Sequence, residues 1–514
     1  MVAFTGINRD QIDGVVPGDS WTDGRNVMFI AGQTVRTPGE AKFAETGRLF
    51  PADVVHFVDT GEQQWWIYAS AQAPAGVGVT DGVTHHDITP VGWGPIVNTG
   101  LVLTIGDLNT LPFINHPEIG PFYWDGITAN KMVKLPDWPA TQTARVMRAH
   151  KNFLMAVSID DGTTLLEGQV SWSSSADPAT VPQFWVPSPT NDAGDANFAK
   201  PGGPLLDGLD VRDQFLVAKQ GYMGILQYVG GAFVFEKRDV FPSVGLFATG
   251  AWVEAGNLVF MLTGTGELVR HDMTTIDNLL YGLLQDYLKS QINYQYPSSV
   301  FMWRDDENGQ VGCAYPVGTS KACTEGITVE VKSGRAGIRD LPRVFGWSLG
   351  LVAILGQSWD TDSQAWDQDS STWNYSASGY QPQRIVFAGG TQGMIQQGCS
   401  NDQLAASGSL VPMTAYAERS GADFDEYESR KTISGAIPRV QGNSGNVLKL
   451  QFGGQESDNA AIELTPLLPY TIGVDDRIDF FLDGRLLSIK VQSDGGAPWR
   501  YAGIYPEVRK SGRW

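Results

Sequence analysis

Asp479-Phe480-Phe481-Leu482-Asp483-Gly484-Arg485-Leu486-Leu487-Ser488-Ile489-Lys490-Val491 reads as two strands joined by a tight turn at Asp483-Gly484. An Asp-Gly pair flanked by aromatic and branched residues is the strongest short-range hairpin signal, because a type I′ turn needs positive φ at both central positions. Trp499-Arg500-Tyr501-Ala502-Gly503-Ile504-Tyr505 then supplies a third strand. Upstream, residues 434–440, 447–452 and 461–464 carry the same character, and Leu448, Leu450 and Phe452 alternate onto one inward face. These runs predict a C-terminal β region over 434–514.

The rest of the chain repeats the pattern. Among 514 residues, Gly 60, Pro 28, Trp 16, Tyr 16 and Phe 23 describe frequent turns between aromatic runs rather than helices. Strands are expected at 54–58 and 64–68, at 101–105, 113–114 and 122–124, at 144–148 and 153–157, at 170–172, at 214–218, 225–229 and 232–235, and at 256–262 with 268–270. The groups recur every 40 to 50 residues or so, the period of four-stranded propeller blades. The fold class predicted is therefore mostly β: a β-propeller body with an additional C-terminal β-sheet region and one short inserted helix. Linked sandwiches are the alternative. The division is an N-terminal arm over 1–50, propeller blades over 51–355, Trp-rich turns and a polar insertion over 356–433, and the β region 434–514, which is separate from the propeller or closes it. The helix is placed at 276–288, capped by Thr275, with apolar residues at 276, 279, 280, 283, 284, 287 and 288 on one face.

Charge excludes some functions. Thirty-six Lys and Arg against 56 Asp and Glu give a net charge of -20, which disfavours a tight clamp on nucleic acid and suits a passage along which DNA slides without sticking. No run of apolar residues is long enough to span a membrane, and the first residues carry no cationic leader. Cys313, Cys323 and Cys399 show no zinc spacing; Cys313 and Cys323 are placed to face each other across a hairpin, although a reduced cytoplasmic protein is the better expectation. His56, His85, His86, His116, His150 and His271 fall in no metal-binding motif, and no GxSxG or Walker loop occurs. Asp369-Ser370-Ser371-Thr372-Trp373 is similar to a sialidase box, but its aspartate lies one residue too close to the tryptophan. A glycan-binding or glycan-cleaving protein is thus the alternative function. Trp359, Trp366 and Trp373 recur every seven residues, and Asp360, Asp362, Asp367 and Asp369 beside them are read as solvated turns or as a weak divalent-cation site.

Three places together resemble the tail nozzle proteins (tail tubular protein B, or tail hub) of short-tailed bacteriophages, the podoviruses. They are residues 20–29, containing Trp21, Asp23 and Arg25, with Arg36-Thr37-Pro38-Gly39; residues 170–178, containing Trp172 and Asp177, with Phe184-Trp185; and the Trp359 to Trp373 run with the close from Gly484-Arg485-Leu486-Leu487 to Pro498-Trp499-Arg500-Tyr501-Ala502-Gly503, next to which Asp483 is a further structural candidate. The resemblance implies a structural protein with no catalytic centre and no cofactor. It implies a homo-oligomeric ring, a hexamer, below the head-to-tail adaptor ring. The ring would enclose the channel for genome ejection, let double-stranded DNA pass without specific binding, and carry spike or fibre proteins. Localisation follows as the virion tail, assembled in the host cytoplasm. Arg500, Arg509, Lys510 and Arg513 at the basic end are candidate interface residues, the other reading being a solvated terminus.

Overall fold

The structure, a computed structural model, describes residues 3–13, 15–61, 63–231, 233–352, 383–423, 427–457 and 460–513, residues 511–513 by backbone alone. Among the described residues, seven four-stranded antiparallel sheets follow one another, beginning at Val54–Asp59, Thr104–Leu108, Thr143–His150, Asp207–Val211, Trp252–Ala255, Phe301–Asp305 and Gly346–Gly350. In the first six, consecutive strands pair with their sequence neighbours. The seventh is completed from the far end of the chain: Glu40–Phe43 pairs with Met394–Gln397.

One packing device recurs. Tyr68 stands opposite Gly78, Phe113 opposite Gly106, Trp172 opposite Gly194 and Trp303 opposite Gly312. In each pair the ring lies where a Cβ on the glycine would be, so the missing side chain is what allows the aromatic to lie flat across its neighbour strand.

Two further sheets pack face to face. A five-stranded sheet runs Val27–Ile30, Gln33–Arg36, Trp499–Arg513, Ser429–Gly442, Ile478–Gly484. A six-stranded sheet runs Asp23–Arg25, Thr414–Ala422, Leu486–Asp494, Val447–Gln455, Glu463–Leu464, with Leu468–Thr471 also on Val447–Gln455. Leu448, Leu450 and Phe452 are buried between them with Ile478, Leu482, Ile489 and Val491, and Phe452 stacks on Phe480 at 3.9 Å. The inward alternation read from the sequence is present.

Three expectations are corrected. Among the described residues no sheet closes into a barrel or curls into a propeller: strand pairing ends at the edge strands of each small sheet, so the fold is mostly β with many separate antiparallel sheets. The C-terminal β region is not made by the C-terminus alone, since three N-terminal strands complete its two sheets. The hairpin at Asp483-Gly484 does not form. Ile478–Gly484 pairs with Ser429–Gly442, whereas Leu486–Asp494 pairs with Thr414–Ala422 and Val447–Gln455 in the other sheet. Neither Asp483 nor Gly484 has positive φ. Gly484 is needed for closeness instead, because a Cβ there would lie 2.7 Å from the Gln455 amide nitrogen and 3.0 Å from the Gly454 Cα.

The helix is also shorter and later than expected. Ile276–Asn278 is a strand on Leu268–His271, Gly282 takes φ +68 and interrupts any helix, and only Gln285–Gln291 is α-helical. Leu280, Leu284 and Leu288 are nevertheless buried, so the apolar face is real.

Candidate functional site

The candidate site is a polar junction where the N-terminal arm meets the sixth sheet, the helix and the six-stranded sheet. Its local cause is the strand Asp23–Arg25, which pairs with Thr414–Ala422 and leaves Asp23 and Arg25 among groups distant in sequence. Asp23 receives Arg9 through Nε at 2.7 Å and again through Nη2, while the Tyr416 hydroxyl donates to its other oxygen at 3.1 Å. Arg25 bridges Glu325 at 2.6 Å and Asp340. Tyr287 and Tyr315 donate to the second Glu325 oxygen at 2.8 and 2.7 Å, and the Asn26 amide donates to Asp340 at 2.9 Å. Asp10 accepts from the helix amides of Asp286 (2.9 Å) and Tyr287 (3.0 Å), satisfying donors that every helix start leaves open.

Burial alone would lower the Arg25 pKa, but Asp340 and Glu325 reverse that and hold it above its ordinary value. Burial, with the Glu325 carboxylate beside it, pushes the Tyr287 phenol up to about 12; burial and Asp23 push Tyr416 to about 12. Each tyrosine therefore stays a donor at neutral pH. The junction fixes the arm in place and offers no titrating group near pH 7 among the tyrosines.

Beside it, Trp21 is fully buried, tilted against Phe4 at 4.8 Å and Tyr501 at 5.9 Å, and donates to Thr34 at 2.9 Å. Trp499 is buried in the same core and donates to Ser493 at 2.9 Å. The structure thus brings Trp21, Asp23, Arg25 and Trp499 into one region. Trp172 and Trp185 do not join them. Trp172 packs on Phe235 in the third and fourth sheets, Trp185 stands edge-on to Trp138 at 4.7 Å, and Asp177 is exposed. Asp483 pairs with Arg430 at 2.8 Å. Arg500, Arg509 and Lys510 are exposed on the strand Trp499–Arg513; only the backbone of Arg513 is described. Trp359, Trp366 and Trp373, with Asp360, Asp362, Asp367 and Asp369, lie outside the described residues.

A cavity of about 470 Å³ is lined by residues from several sheets, including His56, Thr104, Arg148, Asp207, Thr249 and Trp252. Its central carboxylate is already saturated. Asp207 takes two hydrogen bonds from Arg148 (3.0 and 3.1 Å), amide hydrogens from Gly208 and Gly250 (both 2.8 Å), and the Trp252 indole N–H (3.0 Å). A carboxylate with its lone pairs so occupied holds strands together. His56 is held by Asp107 at 2.9 Å and His150 by Asp210 at 2.6 Å. Among the described residues no group of three His, Cys, Asp or Glu side chains is placed to hold a metal ion. Cys313 stands opposite Met302 and Ile327, not Cys323, and all three cysteines are free.

Sequence reasoning missed Arg9, Asp10, Tyr287, Glu325, Asp340 and Tyr416. Arg9 and Asp10 stand side by side in the polar arm, whereas the others are separated from it by hundreds of residues and leave no local signal.

No protein-family model matches the chain, and no curated protein matches it. Among solved structures, the chain is similar to PorZ, a surface component of the type-IX secretion system of Porphyromonas gingivalis (11% identity, TM-score 0.33, covering 75% of this chain and 43% of PorZ). It is also similar to the extracellular domain of the hybrid two component system BT4673 from B. thetaiotaomicron (9% identity, TM-score 0.38, 93% and 60% covered) and to the Bacteroides ovatus xyloglucan protein GH43B (10% identity, TM-score 0.24, 92% and 99% covered). The chain spans less than two thirds of PorZ and of the BT4673 domain. At these TM-scores the likenesses carry no argument. They supply no evidence for a viral tail, a nozzle or a propeller; the propeller label is corrected by the sheets above to a β-rich fold, and the phage resemblance rests on sequence alone.

Proposed function

We propose that this chain is a structural subunit of the tail of a short-tailed phage, assembling as a closed hexameric ring below the head-to-tail adaptor, around the path of the exiting DNA, and that it is not an enzyme. Spike or fibre proteins would attach to its outside. The observation that supports this reading is how the resemblance-bearing residues are used. Trp21 and Trp499 are sunk in the core, and Asp23 and Arg25 tie the first residues of the chain to strands some 300 to 400 positions away. A wall under load needs its ends fastened, and this chain fastens them with buried polar and aromatic contacts.

Electrostatics supports the passage role. At -20 per chain, six copies carry roughly -120, and a wall of that sign gives phosphates no counterion-release attraction. The test is particle mass by light scattering, with negative-stain images of the purified chain. A closed ring with a central opening is expected. A strict monomer at every concentration, or a monomer that hydrolyses glycans, overturns the reading.

A further inference from the structure

Where the sixth and seventh sheets meet the five-stranded sheet, the surface opens into a cleft of about 700 Å³, a volume within the range of small-molecule sites. Its walls come from three places. The end of Phe301–Asp305 and the turn after it bring Asp305, Asp306 and Glu307; the strand Arg384–Ala388 brings Arg384; and Gln33–Arg36 and Trp499–Arg513 bring Arg36 and Arg500. The lining thus holds three carboxylates and three guanidiniums, and its charges sum to zero in a chain of net charge -20.

Most of these charges are already committed within the chain. Glu307 pairs with Arg384 at 2.5 Å and Asp306 with Arg304 at 3.3 Å. Asp305 accepts from the Asn308 backbone and side-chain amides at 3.1 and 2.8 Å and from the Gln397 side chain at 3.2 Å. Arg36, 2% exposed, donates to the Gly496 and Asn401 carbonyls. An anion entering the cleft meets the three carboxylates, and a cation meets the three guanidiniums. What remains free is different in kind. Among the described residues, the side chains of Gln383, Gln441, Asn443 and Arg500 line the cleft, are exposed and make no hydrogen bond or ion pair. Three of these four are primary amides, which both donate and accept. The floor is itself incompletely satisfied: Arg36 Nε and Gln397 Oε1, on side chains more than nine-tenths buried, have no hydrogen-bond partner among the described residues, a shortfall that native interiors rarely carry.

We infer that this cleft binds a short neutral oligosaccharide. Sugar hydroxyls, each donor and acceptor at once, match the free amides of Gln383, Gln441 and Asn443 and the donors of Arg500, while Pro498 and Leu349 supply apolar surface for the C–H faces of the rings. The pairs Glu307–Arg384 and Asp306–Arg304 hold the walls in place, so little ordering is spent on binding. The site is built within one copy of the chain and does not depend on the ring.

The test titrates the full chain by isothermal calorimetry with maltotriose, cellotriose and triacetylchitotriose, and with sialyllactose as the acidic comparison, each up to about 5 mM. At least one neutral trisaccharide is expected to bind, and to bind more tightly than sialyllactose. Gln441→Ala/Asn443→Ala is expected to weaken that binding about tenfold or more, and Gln383→Ala about threefold, with unchanged circular dichroism. The single variant keeps the test valid if the double variant fails to fold. Binding by none of the three neutral sugars, tighter binding of sialyllactose, or a neutral-sugar affinity unchanged in the folded variants overturns the site.

Discussion

Gly312→Ala probes the packing device that repeats through the sheets. Gly312 lies opposite Trp303, and a Cβ there would fall inside the indole, on Cε2 and Cζ2. Carbon atoms in contact sit about 3.5 to 4 Å apart, so the ring must retreat by about 1.5 Å. It has nowhere to go. Trp303 is 1% exposed and is boxed in edge-on by Phe387 at 5.7 Å, itself fully buried. Overpacking of this kind costs about 1 to 3 kcal/mol, and the rigidity of both rings puts this site near 3. The assay is urea unfolding followed by far-ultraviolet circular dichroism. Gly309→Ala is the control: its φ of +62 makes alanine strained there, but nothing lies within 4 Å, so only about 1 kcal/mol of backbone cost is expected. Trp303→Leu combined with Gly312→Ala should be less destabilised than the sum of the two changes by at least 1 kcal/mol, because the smaller side chain removes the clash. A Gly312→Ala protein within 0.5 kcal/mol of wild type, or strict additivity in the double variant, refutes the argument.

Arg25→Ala removes the countercharge of Glu325, which is nearly inaccessible, and should cost about 2 to 4 kcal/mol; early proteolytic release of the arm is the second readout, and an unchanged urea midpoint refutes the fastening role. Arg148→Met strands Asp207 with three neutral donors and should cost about 3 kcal/mol, much of it recovered by adding Asp207→Asn; no recovery would mean that the loss is packing rather than charge. His271 gives a pH signature. Its Nδ1 accepts from the Met273 amide, its Nε2 is buried without a hydrogen-bond partner among the described residues, and burial lowers its pKa to about 4. Between about pH 4 and 6.5 the unfolded chain binds the extra proton, so this contribution is complete above 6.5 and is lost as pH falls towards 4, by up to about 3 kcal/mol. His271→Gln should therefore narrow the stability gap between pH 7 and pH 4.5, and an unchanged gap contradicts the assignment.

Local signals served well where a strand pairs with its sequence neighbour. Gln64–Ser70 beside Val54–Asp59, and Phe153–Asp160 beside Thr143–His150, follow from branched and aromatic runs set about a turn apart. The same logic failed at Asp483-Gly484, because the signal for a hairpin assumes that the two flanking strands want each other. Here each strand finds apolar partners in a different sheet: Leu482 lies opposite Ile433 in one, and Ile489 and Val491 lie opposite Phe452 and Leu450 in the other. The glycine serves the crossing by bringing two backbones together rather than by turning the chain. The helix failed for a related reason, since a 3.6-residue apolar period is satisfied equally by a bent segment whose leucines reach one core, and Gly282 decides which.

The junction was half legible for a deeper reason. Asp23 and Arg25 stood out as charged residues beside a tryptophan, yet what they meet, Glu325, Asp340 and Tyr416, is fixed by which sheet the arm completes. That choice belongs to the whole chain. Glu40–Phe43 closes the seventh sheet on Met394–Gln397, Gln33–Arg36 joins the last strand at Thr34 and Tyr501, and Asp23–Arg25 lies on Thr414–Ala422. With Val27–Ile30 beside Gln33–Arg36, four arm strands thus enter three different sheets whose remaining strands come from beyond residue 340. Closing such loops costs entropy that grows only slowly with their length, about 0.6 kcal/mol per doubling, so a single well-packed strand can offset it. Together these strands make the arm's pairing cooperative with the folding of the C-terminal half, and this is the physical basis for expecting Arg25→Ala to loosen both ends of the chain at once.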